Sequence, residues 1–249
     1  MNKEKRHQMI VEMISIEGKV NIIDLSSKLN VSEDTVRRDL VELENQKMLK
    51  RIRSGAVRIG PAVTSFEYRC SVNTHVKRMI SKKILPYISQ HKTILIDGST
   101  SNLELVKLLP PNFNATFVTN CPPIATELAK LESSEIIVVG GKLYKKPMIN
   151  VGASTFEIIR NMNFDIFING IYHVDSTLGT SVPTFEEANI KRLMMERSES
   201  IFSIVTSDKF ETISNFIIDS DIRNLNIFTH DLSKEIFQKY KSKGINIYQ

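Results

Sequence analysis

The sequence predicts an α/β domain built on a mostly parallel sheet, preceded by a small winged helix-turn-helix domain. Three observations lead there. Residues 20–45 read as a short helix, a tight turn and a second helix carrying paired arginines, and the stretch from Lys47 to Ile59 that follows holds basic residues but no Asp or Glu. Beyond residue 90, short apolar strand-like runs alternate with helical ones, the pattern of a parallel sheet. At 249 residues the chain is long for one domain and comfortable for two.

Composition narrows the class. Hydrophobic residues make up 41% and charged residues 24%, an ordinary globular balance that argues against disorder. The formal charge of +5 is modest, so a nucleic-acid surface has to be a local patch. Lys47, Lys50, Arg51, Arg53 and Arg58 form one basic cluster, and Lys142, Lys145 and Lys146 a smaller one. Two cysteines, Cys70 and Cys121, make neither a disulfide framework nor a four-ligand zinc site. The five histidines are dispersed, without metal-ligand spacing, although His173 could face a pocket. No run approaches the ~18 apolar residues that span a bilayer, and the N-terminus lacks a signal-peptide core, so a cytoplasmic protein is expected. No metal and no cofactor is implied. Hydrolase, nucleotidase and zinc-protease signatures are missing from the sequence.

In the head, Met9, Ile10, Met13, Ile14 and Ile16 recur at helical spacing and Gly18 stops that helix. Asn21 can cap a short helix with Ile22, Leu25 and Leu29 inside, and Asn30 can end it in the left-handed conformation. Ser32 then caps a third helix, with Val31 placed as a hydrophobic staple. Val36, Leu40 and Leu43 form its buried stripe. At ~100° per residue Arg38 points away from that stripe, with Thr35 and Arg37 on its flanks. This is the end of a helix-turn-helix that meets base edges. Arg37 and Arg38 either read guanine directly or contact only phosphates, or pair with Asp34, Asp39 or Glu42. Residues 49–52 and 56–59 flank Arg53-Ser54-Gly55 as a basic hairpin that adds salt-dependent contacts to the DNA backbone or minor groove.

Residues 60–64 read as a linker. The body then places small polar groups after its strands: Asp97-Gly98-Ser99-Thr100-Ser101-Asn102 after Ile94–Ile96, Thr119-Asn120 after Phe117-Val118, Gly140-Gly141 after Ile136–Val139, and Ser207-Asp208-Lys209-Phe210 after Ile201–Val205. Ligands of open α/β sheets bind outside the carboxyl ends of the strands, and free N–H groups and hydroxyls there suit a phosphate. Singly, such clusters are ordinary turns and caps; four in one domain make a site.

Val31-Ser32-x-x-Thr35-Val36-Arg37-Arg38-Asp39-Leu40, followed by Leu43-Glu44 and Lys50-Arg51, closely resembles the DeoR family of bacterial sugar-metabolism regulators. The resemblance continues through Asp97–Ser101, Thr119-Asn120, Gly140-Gly141, the Glu187-x-x-x-Lys191 step and Asp208-Lys209-Phe210, and so covers nearly the whole chain. It implies a DNA-binding head at residues 1–60, a linker at 61–76 and a sugar-phosphate sensor at 77–249 resembling ribose-phosphate isomerases. It further implies a transcriptional regulator, most often a repressor, with two partners: double-stranded operator DNA and a phosphorylated sugar or related metabolite. A homo-oligomer, dimer or tetramer, and no membrane partner are expected. DNA contacts fall to Ser32, Thr35, Arg37, Arg38, Lys50, Arg51 and Arg53. Effector contacts fall to Asp97, Ser99, Thr100, Ser101, Thr119, Asn120, Gly140, Gly141, Lys191 and Lys209. Two departures stand out. Arg53-Ser54-Gly55-Ala56 replaces the family's His-Gly-Gly-Ala, and Asn169-Gly170-Ile171-Tyr172-His173 lacks the glycine and the carboxylate usual in that loop. The missing carboxylate counts against the alternative, an isomerase-like enzyme with an appended DNA-binding domain. It also leaves open a regulator tuned to a different signal.

Overall fold

Helix α1 (Lys3–Glu17) buries Ile10 and Ile14 and ends at Gly18, whose φ of +74° is free of Cβ strain only for glycine. The chain then forms β1 (Lys19–Asn21), a strand too short to show an alternating pattern in the sequence. The Asn21 side chain accepts from Ile23 N to cap α2 (Ile22–Leu29), and Asn30 closes that helix at φ +52°. Ser32 accepts from Thr35 N to start α3 (Glu33–Asn45), which buries Val36, Leu40 and Leu43 as their spacing requires. Next come β2 (Lys50–Ile52) and β3 (Gly55–Val57), turning at Arg53-Ser54. The wing is therefore three-stranded, in the order β1-β3-β2. Gly55 is needed because a Cβ there would lie 1.9 Å from the Val20 carbonyl oxygen of β1.

Asp39 sits on the inner side of α3, 2% exposed, and pairs with neither Arg37 nor Arg38. It takes Arg6 Nε and Nη2 from α1, the latter at 2.9 Å, with His7 Nε2 at 3.0 Å. Burial alone would raise the Asp39 carboxyl. The hydrogen bonds from Arg6 and His7 outweigh it and hold the group below its ordinary value.

Two helices lead into the body, α4 (Phe66–Ser71) and α5 (Thr74–Ile88), broken at Asn73 with φ +53°. The computed structural model describes residues 2–46, 48–59, 64–89 and 92–249, without the side chains of Ser15 and Ile16. Lys47, most of the linker (60–63) and His91 lie outside the described residues.

The body continues through β4 (Thr93–Ile96), α6 (Thr100–Val106), β5 (Thr116–Thr119), α7 (Pro122–Leu128) and β6 (Glu135–Val138). A hairpin of β7 (Lys142–Tyr144) and β8 (Ile149–Val151) precedes α8 (Ala153–Arg160) and β9 (Phe164–Asn169). Then follow β10 (His173–Asp175), β11 (Gly179–Val182), α9 (Phe185–Glu196) and β12 (Ser198–Ile204). A 3-10 turn (Ser207–Lys209), β13 (Phe216–Asp219), β14 (Leu225–Phe228), α10 (Lys234–Ser242) and β15 (Asn246–Tyr248) complete the chain.

Seven strands form one sheet in the order β15-β14-β12-β9-β4-β5-β6, every pair parallel. Period-two alternation sends Ile94 and Ile96 into one apolar layer and Leu95 into the other, so both faces are buried. From β4 the chain moves outward to β5 and β6, then returns to β9 on the opposite side of β4. The direction of winding thus reverses between β4 and β9, opening a crevice beyond their carboxyl ends. The β7–β8 hairpin and the antiparallel β10-β11-β13 sheet are additions that the sequence reading did not resolve.

Removing Asp39 leaves the Arg6 guanidinium buried without its partner. Asp39→Ala is expected to destabilise the head by about 3–5 kcal/mol at pH 7. Because the native carboxyl is held low, its contribution is present at neutral pH and lost as pH falls through that lowered value. Thermal melts of wild type and variant should therefore converge in acid; an unchanged melt at pH 7 would show that the pair carries no load.

Candidate functional site

Asp97, the first residue after β4, organises the crevice. It is 2% exposed and ion-paired with Lys191 of α9, itself 4% exposed. Asp97 Oδ1 accepts from Gly170 N at 2.6 Å and from Asn102 Nδ2 at 3.0 Å. Lys191 Nζ also donates to Gly170 O at 2.7 Å and Asn169 Oδ1 at 3.3 Å. Asn169, where the family carries glycine, is thus a working member of this network. Gly170 must be glycine: a Cβ would lie 2.4 Å from Ser99 Cβ and 2.9 Å from Asp97 Oδ1.

Above this floor lies a cavity of about 290 Å3, close to the small end of the range for small-molecule sites. Its walls come from six places: Gly98-Ser99-Thr100 after β4, Gly170-Ile171-Tyr172 after β9, Thr206, Asp208 and Lys209 after β12, Thr64, Tyr68, Arg69, Val72, Asn73 and Lys77 from the connector, Pro147 from the β7–β8 hairpin and Glu187 from α9. Ser99 Oγ accepts from the N–H groups of Ser101 and Asn102 and so caps α6. The Arg69 guanidinium lies over the rings of Phe66 (5.7 Å) and Tyr172 (5.8 Å), and its Nε has no hydrogen-bond partner among the described residues. Lys77 Nζ donates to Arg69 O at 2.5 Å, and Lys209 Nζ to Ile171 O at 2.6 Å. Burial pushes Lys209 down to about 8. Asp208 opposes this, and the neighbouring cations Arg69, Lys77 and Lys191 add to it. Glu187 of α9, 5% exposed, faces the same cavity without a side-chain hydrogen bond among the described residues. Burial raises it to about 7 against the pull of Lys191, with Asp97 adding to the rise. Crowded cations around a void, with the buried Glu187 and the exposed Asp208 at its wall, suit an anion that also bears a hydrogen-bond donor.

Of the residues read from the sequence as effector contacts, Ser99, Thr100 and Lys209 line the cavity. Asp97 and Lys191 lie beneath it, committed to each other. Ser101 is buried in the first turn of α6. Thr119, Asn120, Gly140 and Gly141 stand at strand ends on the same edge of the sheet but away from the lining. Their hydrogen bonds run within the fold: Thr119 Oγ1 accepts from Cys121 N, Asn120 Nδ2 donates to Asn150 O, and the Gly140 carbonyl accepts from Thr155. Gly141 takes φ +145°, and a Cβ would lie 2.1 Å from Thr155 Oγ1. His173 is not in the lining. It is buried beside Thr212 at 2.8 Å, and burial pushes it down to about 3, keeping it neutral. Cys121 is wholly buried outside the cavity. The sequence reading missed Arg69, Asn73, Lys77 and Tyr172, and it did not place Glu187 among the contacts. Nothing local in the sequence marks the connector as folding back over strands that come later.

On the head, Arg38 is exposed and has no ion pair or hydrogen bond among the described residues, whereas Arg37 donates to Glu33 at 2.8 Å. Ser32 and Thr35 form the N-terminal cap that faces solvent beside them. Arg51 is forked onto Glu44, fixing β2 to the end of α3, and Arg53 is exposed at the wing tip. Lys50, by contrast, is turned toward the body and donates to Asn215 Oδ1 at 2.6 Å.

A helix-turn-helix with a basic wing, joined to a parallel α/β body with a cation-lined pocket at its switch point, defines a DNA-binding regulator with a sensor domain. Residues 6–62 match the DeoR-like helix-turn-helix domain and residues 72–231 the DeoR C terminal sensor domain. The chain belongs to the DeoR family of transcriptional regulators. It is 27% identical over 248 residues to a putative aga operon transcriptional repressor of Escherichia coli, covering 98% of this chain and 92% of that one. It is 30% identical over 211 residues to the glycerol-3-phosphate regulon repressor of Escherichia coli, covering 84% of each. Ribose 5 phosphate isomerase A from Neisseria gonorrhoeae overlays at a TM-score of 0.42 and 12% identity, covering 57% of this chain and 56% of that one. No helix among the described residues is long and apolar enough to cross a membrane.

The raised Glu187 carboxyl predicts a pH signature. A folded value above the ordinary 4.5 means that its favourable contribution is complete in acid and lost as pH rises toward about 7. Glu187→Gln is therefore expected to stabilise the ligand-free protein by about 1–3 kcal/mol at pH 8 and to make little difference near pH 4.5. Urea melts at the two pH values check this; equal effects at both would show that Glu187 is not held in its neutral form by burial.

Proposed function

We propose that the chain represses a carbohydrate-metabolism operon and releases its operator when a phosphorylated sugar or polyol occupies the pocket. The observation that carries the reading is the cluster of Arg69, Lys77 and Lys209 around the cavity beside the hydroxyl and backbone donors of Ser99 and Thr100. Like charges held together favour a dianion over any neutral guest, and the planar Arg69 fork suits phosphate oxygens bidentately. Glu187 accepts a hydroxyl of the sugar. The names of the relatives, a glycerol-3-phosphate regulon repressor among them, agree with this chemistry.

The site senses its ligand and does not transform it. Proton shuttling on a sugar phosphate needs an acid or base free to exchange its proton. Asp97 is spent on Lys191, Gly170 N and Asn102, and the loop after β9, Asn169-Gly170-Ile171-Tyr172-His173, holds no carboxylate; Glu187 and the exposed Asp208 are the carboxyls that line the cavity among the described residues, Glu187 as an acceptor for the sugar.

DNA is read by the N-terminal end of α3, with Thr35 and Arg38 at base edges, Ser32 and Arg37 beside them, and Arg51 and Arg53 on phosphates. One head covers little DNA, so two heads on repeated half-sites, supplied by a dimer or tetramer of this chain, give specific binding.

Two outcomes are expected. In thermal melts, a subset of hexose, pentose and glycerol phosphates should raise the melting temperature of wild type, and Arg69→Ala and Lys209→Ala should each abolish that shift. A flat response across the panel, or full shifts in both variants, would remove the pocket assignment. For DNA, Arg38→Ala is expected to cost about 1–3 kcal/mol on a duplex obtained by in vitro selection and far less on random duplex. Equal losses on both would reduce Arg38 to a phosphate contact.

A further inference from the structure

One segment of the body serves both the pocket and the head. Lys209 lines the cavity, and the carbonyls on either side of it hold the wing: the Arg58 guanidinium donates to Asp208 O at 3.3 Å and Phe210 O at 2.9 Å. Arg58 also forms a parallel bridge with Thr212. Farther along, Asn215 accepts from Lys50 of β2. Gly18 at the end of α1 rests on Glu211 so closely that an added Cβ would lie 2.1 Å from Glu211 Cβ.

The segment has little slack. Phe210, Glu211 and Thr212 are each 0% exposed. Glu211 adopts φ +54°, a left-handed conformation costly for a residue with a Cβ, and is held there by Ser176 N and Lys239. Thr212 Oγ1 donates to Lys209 O at 2.6 Å, which ties the pocket turn directly to the residue that bridges Arg58.

We propose that residues 207–215 form a latch for which the effector and DNA compete through the same two wing cations. With the head docked, Lys50 and Arg58 are spent on the body and are withheld from DNA phosphates. Ligand on Lys209 favours the turn as Arg58 holds it, and so favours the docked head. DNA that claims Lys50 and Arg58 removes the restraint on the carbonyls flanking Lys209, and so weakens ligand binding. The ligand half of this statement rests on the pocket reading above; the docking half does not. A ligand shifts such an equilibrium only through differential contact with the two states, and here the differential contact is the position of Lys209.

A wedge tests it. Gly18→Asn keeps a residue that tolerates the left-handed conformation but drives a Cβ into Glu211, forcing the head off the body. The measurement is fluorescence anisotropy of a short mixed-sequence duplex against salt, using the full chain without ligand. Each phosphate contact contributes about 0.9 to the slope of log K against log salt, so freeing two cations should steepen it by about 1.8. Adding Glu211→Gly, which removes the colliding Cβ, should restore the wild-type slope. Asn215→Ala frees Lys50 alone and should steepen the slope by about 0.9. Wild-type slopes in both a folded Gly18→Asn and Asn215→Ala would overturn the latch. If Gly18→Asn does not fold, Asn215→Ala decides alone. A sugar-phosphate panel that fails to stabilise wild type would strike the pocket reading and leave this result standing.

Discussion

The Asp97–Lys191 pair is the constraint on which the rest of the sensor depends. It joins the first turn after β4 to α9, and through Gly170 and Asn169 it also grips the end of β9. Those are the strands between which the winding of the sheet reverses. Two charges removed from water stabilise a fold only when their remaining hydrogen-bonding capacity is met. Here Asn102, Gly170 and Asn169 meet it, so the floor of the pocket is rigid. It also leaves Glu187, one helical turn before Lys191, facing the void without a hydrogen-bond partner for its side chain among the described residues. The result is a cavity with a hydrogen-bonded floor and cations and carboxyls in its wall.

Much of the head is legible in the sequence because its signals are local. Gly18, Asn21, Asn30 and Ser32 each act within a few residues of themselves, and the structure uses all four as helix caps. The parallel strands are equally plain, since runs such as Ile94-Leu95-Ile96 are apolar on both faces. Strand β1 is not legible: three residues carry no periodicity, and it exists because β3 lies beside it. The same holds for Asp39, whose place in the core is understood only with Arg6, 33 residues earlier.

The site divides along the same line. That Ser99, Thr100 and Lys209 come together at one cavity was readable because strand ends in a parallel sheet share one edge. That rule also swept in Thr119, Asn120, Gly140 and Gly141, which share the edge but fasten neighbouring loops. Arg69 and Lys77 could not be found from the sequence, because only the folded connector brings them over the crevice. Arg69 lies between the residues matched to the head and those matched to the sensor, and Lys77 lies just inside the latter, where a lever between the two would sit. The cavity therefore touches both the connector and the segment that holds the wing.

The most direct test of this account is reciprocity. Once a phosphorylated ligand is in hand, its dissociation constant should be measured by calorimetry on the free protein and on the protein saturated with selected duplex. If pocket and head are coupled, DNA weakens the ligand by the same factor by which the ligand weakens DNA. Equal ligand affinity in the two titrations would mean that pocket and head do not communicate.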